Sequence, residues 1–321
     1  MAKLPEAGEK SPMLEWAYFQ GEIVPFSEAN FSIGTHVVQY GTGVFAGIRA
    51  YLSADGETLN VFRLQDHARR LLNSARLLRA DTHHTVESIS QIIVDLLEKN
   101  APTGDTYIRP FFYKPAVQLT PRLRGIGDEL AVYMLSLGDY LPTSGVKAIV
   151  SSWVRVPDNA IPSRGKITGS YINSAFAKDE AEEKGADDAI LLNTSGKVAE
   201  GSSCNLFIVR NGTLITAPIS SDILEGITRR TVFELASDLG LPVETREIDR
   251  SELYIAEEAF FCGTGVQVAP IASIDGRPVG EIPGPVTKQV SERFFNMMRG
   301  TLPEYSHYLT PVPRRVAAPA D

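Results

Sequence analysis

Leucine and alanine recur along one side of the stretch beginning at Leu64, at Leu64, Ala68, Leu71, Leu72, Ala75 and Leu78. Steps of three and four residues return a side chain to the same helix face, so the spacing predicts a helix over 64–79. Val86–Lys99 reads as a second helix. Around this pair the pattern changes to short runs rich in β-branched and aromatic residues, which is how strands read. Glu15–Val24 predicts a hairpin turning at Gln20 and Gly21. Gly47–Leu52 and Thr58–Arg63 predict another around Ala54, Asp55 and Gly56, and Tyr107–Tyr113 and Leu130–Leu137 follow as strands. This part of the chain reads as α+β.

Breakers then gather between Gly138 and Gly145, the best linker candidate. Beyond it strands and helices alternate more regularly. Val146–Val154 reads as a strand, and Tyr171–Lys184 as a helix closed by Gly185. Ala189–Asn193, Val198–Val209 and Leu214–Ala217 read as strands, Thr228–Leu239 as a helix ended by Gly240, Ala259–Phe261 as a short buried strand and Val286–Met298 as an amphipathic helix. Residues 1–12 are polar and read as loose, and the tail from Thr310, with three prolines, reads as extended. The expected organisation is an N-terminal α+β domain over 1–137, a linker over 138–146, and a larger C-terminal α/β domain over 147–321.

At 321 residues the chain exceeds the usual size of a single core, which supports two domains. Its net charge of −8 disfavours nucleic acid and anionic membrane as partners. No apolar run approaches membrane-spanning length, and the first residues carry no apolar segment like a signal peptide. The two cysteines, Cys204 and Cys262, cannot build a disulfide framework, so the expected location is a reducing cytoplasm. The five histidines show no metal-ligand spacing, and no metal site is expected.

The candidate chemistry centres on Lys166 and, thirty-four residues later, Glu200. A lysine captures a carbonyl when it is held, partly desolvated, against an aldehyde. A nearby carboxylate could keep a pyridine nitrogen protonated, so that the ring accepts electrons. Together the two describe a pyridoxal phosphate (PLP) site. Each residue alone reads more simply, as a surface lysine and a turn carboxylate. PLP also requires a phosphate cradle, and two junctions could supply one. Leu224–Arg229 opens a helix, where free N–H groups and the hydroxyl of Thr228 meet. Cys262–Gly265 follows a buried strand, and its glycines let backbone N–H groups curl toward an anion. Arg63 and Arg109 lie on predicted strands, where an arginine meets either a structural carboxylate or a ligand anion.

Several motifs occur in one order: Tyr40–Arg49, Tyr107–Pro110, Lys166 among small residues, Glu200 with Asn205–Phe207, Gly226–Arg229, and Gly263–Gly265. In that order the chain, from about Leu14 to about Leu309, resembles the fold-type-IV PLP enzymes, and within them the branched-chain amino acid aminotransferases. The resemblance implies a small N-terminal α+β domain and a larger C-terminal α/β pseudo-barrel that binds PLP. Lys166 would hold the cofactor and move the proton between Cα and the cofactor carbon. Glu200 would pair with the pyridine nitrogen, and Tyr171 would lie near the phenolic oxygen. Arg63, Ile227, Thr228 and Thr264 would hold the phosphate. Tyr107 and Arg109, with the turn at Thr264 and Gly265, would receive the substrate carboxylate, and Tyr40, Phe45 and Gly47 would line the side-chain pocket. The implied reaction joins leucine, isoleucine or valine to a 2-oxo acid, 2-oxoglutarate, in a homodimer or larger homo-oligomer. Arg49 is a candidate for the distal carboxylate of 2-oxoglutarate at the pocket rim. Arg122 and Arg124 are weaker candidates, because their loop is rich in breakers.

The chain departs from the family pattern twice. Ala46 stands where the pocket motif usually has glutamate, and Gly263–Gln267 replaces the usual Gly-Thr-Ala-Ala-Glu turn. Both departures bear on substrate range. The alternatives are an amine transaminase, (R)-selective or dual in activity, a D-amino acid transaminase, an aminodeoxychorismate lyase, and a non-catalytic PLP carrier. The Tyr40–Arg49 motif favours the branched-chain group over the D-amino acid enzymes and the lyases. A carrier would lack the lysine or the carboxylate, and this chain has both.

Overall fold

The computed structural model describes residues 12–138, 141–142 and 144–314. Residues 1–11, the linker positions 139, 140 and 143, and the tail from 315 lie outside them. The chain divides into two compact units. An N-terminal unit takes the described parts of Ala2–Gly138, Ile167–Gly169 and Asn296–Asp321. A central unit takes those of Asp139–Lys166 and Ser170–Phe295.

The N-terminal unit contains β1 (Trp16–Phe19), β2 (Glu22–Pro25), α1 (His36–Tyr40), β3 (Gly43–Phe45), β4 (Ile48–Leu52), β5 (Thr58–Phe62), α2 (Leu64–Leu77), α3 (Val86–Asn100), β6 (Thr106–Tyr113), β7 (Glu129–Ser136) and, from the far end of the chain, β17 (Leu309–Pro313). These strands form one antiparallel sheet in the order β17-β5-β4-β6-β7-β1-β2, with β3 on β6. The stripe on α2 buries Leu64, Ala68, Leu71 and Ala75, as its spacing predicts. Helix α3 starts in a capping box, in which the Thr85 and Ser88 side chains each bond the other's backbone N–H. It ends with Ala101 in the left-handed region.

The central unit contains β8 (Val146–Val154), α4 (Tyr171–Glu183), β9 (Asp188–Leu192), β10 (Val198–Gly201), β11 (Asn205–Arg210), β12 (Thr213–Thr216), α5 (Ile227–Asp238), β13 (Val243–Thr245), β14 (Glu258–Gly263), β15 (Gln267–Ile274) and β16 (Arg277–Pro278), and α6 (Pro285–Met298) begins in it. Its nine-stranded sheet runs β10-β9-β8-β15-β14-β11-β12-β13, with β16 on β15. The two ends of that order meet just past β13. The Val198 N–H donates to the Ile248 carbonyl at 2.9 Å, and Lys197 forms a bridge with Asp249. These contacts bend the sheet toward the barrel form that the resemblance implies. Its interior is apolar, with Ile190, Val198, Leu206, Ile208, Phe261 and Ile271 all buried. Each such side chain contributes roughly 1.5–3 kcal/mol on leaving water.

Two expectations need correction, and one strand is added. The chain from Asn296 onward does not stay with the C-terminal domain expected over 147–321, because β17 pairs along five residues of β5 in the N-terminal unit. The strand expected over Val198–Val209 is two strands. The Gly201 N–H donates to the Cys204 carbonyl at 2.7 Å, and the resulting turn reverses the chain between β10 and β11. Strand β15, which carries Pro270, adds to the expected strands and pairs with both β14 and β8.

Candidate active site

The central unit brings one group of the expected residues together. Lys166 is the last residue before the chain passes, for three residues, to the N-terminal unit. It is partly buried, and its Nζ donates to the Tyr171 hydroxyl at 2.5 Å. Tyr171 opens α4 five residues later, so the turn between them fixes the pair.

Glu200 lies on β10, one residue before its end, 6% exposed, with both carboxylate oxygens engaged. Arg155 Nε donates to Oε1 at 3.0 Å, Asn205 Nδ2 to Oε2 at 2.9 Å and the Leu224 N–H to Oε2 at 3.1 Å. Burial raises the Glu200 carboxyl above the ordinary range, against the opposing pull of Arg155, the Leu224 N–H and Lys166. The result is an oriented carboxylate that binds a proton more tightly than a solvated one does.

Asn205 also links Glu200 to the candidate phosphate cradle. Its Nδ2 bonds the Leu224 carbonyl at 3.1 Å, and its Oδ1 lies against Gly226, the N-cap of α5. A methyl group on Gly226 would overlap Asn205 Oδ1, so glycine is required by this close approach. The helix therefore begins at Ile227, one residue earlier than its expected start. Ile227 and Thr228 are its first two residues, and both are buried. The N–H groups of a first turn have no intrahelical acceptor and point toward an incoming anion. Arg229 follows, 6% exposed, bonding the Ala217 carbonyl at 2.9 Å and the Thr216 hydroxyl at 3.4 Å with Phe233 against its plane. It adds positive charge where the helix dipole is already positive.

Thr264 and Gly265 occupy the β14–β15 turn, two and three residues beyond Cys262, which pairs with Asn205. A side chain begun at Gly265 would meet no heavy atom within 4 Å. The turn tolerates bulk, and in this chain glycine leaves that space open.

The N-terminal unit brings together a second group. Arg109 lies with its guanidinium 4.2 Å from the Phe45 ring centre and 5.1 Å from that of Tyr107, and it donates to the Tyr107 hydroxyl at 3.0 Å. A side chain on Gly47 would overlap the same hydroxyl, so this glycine makes room for the Tyr107–Arg109 pair. Ala46 is fully buried, and its N–H donates to the Pro110 carbonyl at 3.0 Å. Tyr40 ends α1, 37% exposed, and donates to the Leu119 carbonyl at 2.7 Å. Arg63 caps α2, buried, with Asp66 2.8 Å from its Nε.

Arg49 is not at a rim. It is 2% exposed and donates to the Gly138 carbonyl at 2.7 Å, because its place on β4 opposite Tyr107 turns it into the unit. Arg122 and Arg124 are exposed, and Arg122 bonds the carbonyl of Arg124.

Sequence reasoning missed Arg155 and gave Asn205 no role. Arg155 stands forty-five residues before its partner Glu200, just after β8. No local spacing signals such a pair. Asn205 carried a faint signal, since it follows Glu200 by five residues within one motif.

The donor set fits PLP: a lysine amine beside a tyrosine hydroxyl, a buried oriented glutamate, and a helix N-terminus whose glycine N-cap lies against Asn205. Comparison with known proteins agrees. A family model described as amino-transferase class IV matches residues 43–274. A protein of Aquifex aeolicus (strain VF5) named probable branched-chain-amino-acid aminotransferase is 47% identical over 307 residues, 94% of this chain and 98% of that one. The branched-chain-amino-acid aminotransferase of Escherichia coli (strain K12) is 35% identical over 292 residues, 89% of this chain and 94% of that one. Among solved structures, the branched-chain aminotransferase of Thermoproteus uzoniensis with norvaline has a TM-score of 0.90 at 43% identity, covering 94% of this chain and 99% of that one. The branched-chain amino acid aminotransferase of Thermobaculum terrenum in its PLP-form has a TM-score of 0.90 at 38% identity, covering 94% and 99%. On the matched family model, the identity to these relatives and the shared fold, the chain belongs to the class IV aminotransferases.

Proposed function

We propose that this protein is a PLP-dependent aminotransferase of leucine, isoleucine and valine, with Lys166 as its cofactor lysine and 2-oxoglutarate as the second substrate. The observation that carries the reading is the three-donor hold on Glu200, joined through Asn205 to the start of α5. When bound, PLP supplies an electron sink that makes the α-proton of an amino acid acidic. Glu200, held in one orientation by its three donors, keeps a proton at the ring nitrogen. The N–H groups of Ile227 and Thr228, with Thr264 and Arg63, bind the phosphate. Lys166 is the base that takes the α-proton and returns it, and Tyr171, 2.5 Å away, orients its amine. Tyr107 and Arg109 bind the substrate carboxylate. Tyr40, Phe45 and Gly47 shape the space for an apolar side chain.

No helix among the described residues is long and apolar enough to cross a membrane. The cytoplasm is the location we propose. We also infer at least a homodimer. On the N-terminal unit, Ile33, Leu119, Val117 and Val38 are 88%, 83%, 69% and 54% exposed, and the Thr35–Val117 bridge holds their two segments together. Exposed apolar side chains grouped this way mark an association surface, and the mass in solution by light scattering tests it.

The open space at Gly265 and the small Ala46 favour one second reading, a minor activity on amines that lack an α-carboxylate. One set of measurements tests both readings. Borohydride should trap the pyridoxyl group on Lys166, and initial rates should be highest on L-leucine among L-leucine, D-alanine and the two enantiomers of 1-phenylethylamine. A label on another lysine, or a rate on D-alanine far above L-leucine, would overturn the main reading. Absence of turnover for both amine enantiomers would remove only the second.

A further inference from the structure

Arg63 stands in an unusual setting. Its backbone is in the left-handed region, with φ 47° and ψ 42°, at the junction of β5 and α2. Arginine adopts this conformation only where its surroundings hold it there. The hold comes from the other end of the chain. Strand β17 pairs with β5 so that Leu309 lies opposite Phe62, and that register puts Tyr308 beside Arg63. The Arg63 N–H donates to the Tyr308 carbonyl at 2.7 Å. The guanidinium carbon lies 4.1 Å from the centre of the Tyr308 ring. The ring is itself braced, edge-on to Phe62 at 6.5 Å and stacked on Tyr305 at 6.3 Å. Asp66, one turn into α2, takes Nε at 2.8 Å.

We propose that Tyr308 is a positioning residue for anion binding by Arg63: its carbonyl holds the strained backbone, and its ring sets the plane of the guanidinium. The proposal rests on the reading that Arg63 meets the cofactor's phosphate. A ring face attracts a guanidinium without neutralising it, whereas a second carboxylate would compete with the phosphate. Packing against the ring also removes rotamer freedom that binding would otherwise have to freeze out. This gives the C-terminal strand a part in cofactor affinity.

The test compares PLP with pyridoxal, which lacks the phosphate, in binding titrations of the full-length chain freed of cofactor. Tyr308→Leu should weaken PLP binding roughly three- to thirty-fold while changing pyridoxal binding less than about two-fold, the range expected for loss of one cation–π contact. Tyr308→Phe keeps the ring face and should bind PLP within about two-fold of the parent chain. Equal weakening of both ligands in Tyr308→Leu, or no weakening, would overturn the proposal. Arg63→Gln separates it from the reading beneath it. If Arg63→Gln fails to discriminate PLP from pyridoxal, Arg63 does not meet the phosphate and both ideas fall. If it discriminates and Tyr308→Leu does not, only the role of Tyr308 falls. Should Tyr308→Leu melt below the working temperature, Tyr308→Met carries the same comparison.

Discussion

The two units hold their candidate site charges in different ways. The central unit buries an anion, Glu200, and surrounds it with an ion pair, a side-chain amide and a backbone N–H. The N-terminal unit sets its candidate arginines against aromatic faces and oxygen dipoles, with Arg109 on Phe45 and Tyr107, Arg49 on the Gly138 carbonyl and Arg63 between Tyr308 and Asp66, while its buried Lys114 pairs with Asp128 at 2.7 Å. The difference follows from what each must meet. A carboxylate that serves a ring nitrogen must be aimed and held as an anion in a buried place, so its partners are fixed donors, which oppose the rise that burial causes. A guanidinium that serves a ligand carboxylate or phosphate must offer N–H groups to it, and a ring face orients the guanidinium without occupying them.

Breaking the anionic side should cost most. Glu200→Gln keeps the shape and the cradle, so PLP should still bind, but a neutral amide no longer holds a proton at the ring nitrogen. A fall in kcat of about 10²–10³-fold, with cofactor content near that of the parent, is the expected outcome. Steady-state kinetics alongside the cofactor spectrum checks it, and near-parental kcat would reduce Glu200 to a structural carboxylate.

Breaking the cationic side should cost less and show in a different constant. Arg109→Gln leaves Phe45 and Tyr107 in place but removes the charge between them. KM for L-leucine should rise roughly 10–100-fold, with a smaller change in kcat, because a charge-assisted contact made in both ground and transition states is lost. An unchanged KM would move the carboxylate site away from Arg109.

The smallest effect sharpens the comparison inside the central unit, where a second carboxylate also meets arginine. Glu252 accepts from Arg246 and Arg210 at 2.7 Å each, but it lies near the surface. The Arg246 hydrogen bonds, against a weaker effect of burial, pull it down to about 2, whereas Glu200 is raised. Two arginine-paired carboxylates thus shift oppositely, because burial dominates only in the deeper one. A carboxyl lowered on folding stabilises above its unfolded value of about 4.5, and that stability drains as pH falls toward about 2. Glu252→Gln should therefore lower Tm modestly at pH 7, and the gap from the parent should close on acidification. A gap that stays constant with pH would assign the pair no electrostatic role.

Much of this molecule was legible in one dimension. Periodicity placed α2 and α3, and breakers marked Gly138 as the place where the chain changes unit. Residue chemistry singled out Lys166, Glu200 and the start of α5 as candidates, because a nucleophilic amine, a carboxylate and a helix N-terminus are local features with local sequence signs. Tertiary structure alone decided which partners those groups have. Arg155 reaches Glu200 across forty-five residues, and Tyr308 reaches Arg63 across 245, each through strand register that no spacing encodes. It also turned Arg49 inward while leaving Arg109 against its aromatic rings, although both are arginines on apolar strands. Composition and pattern state what a side chain can do. Burial, register and close approach settle whether it meets a ligand or the protein itself, because those depend on residues far apart in sequence and adjacent only when folded.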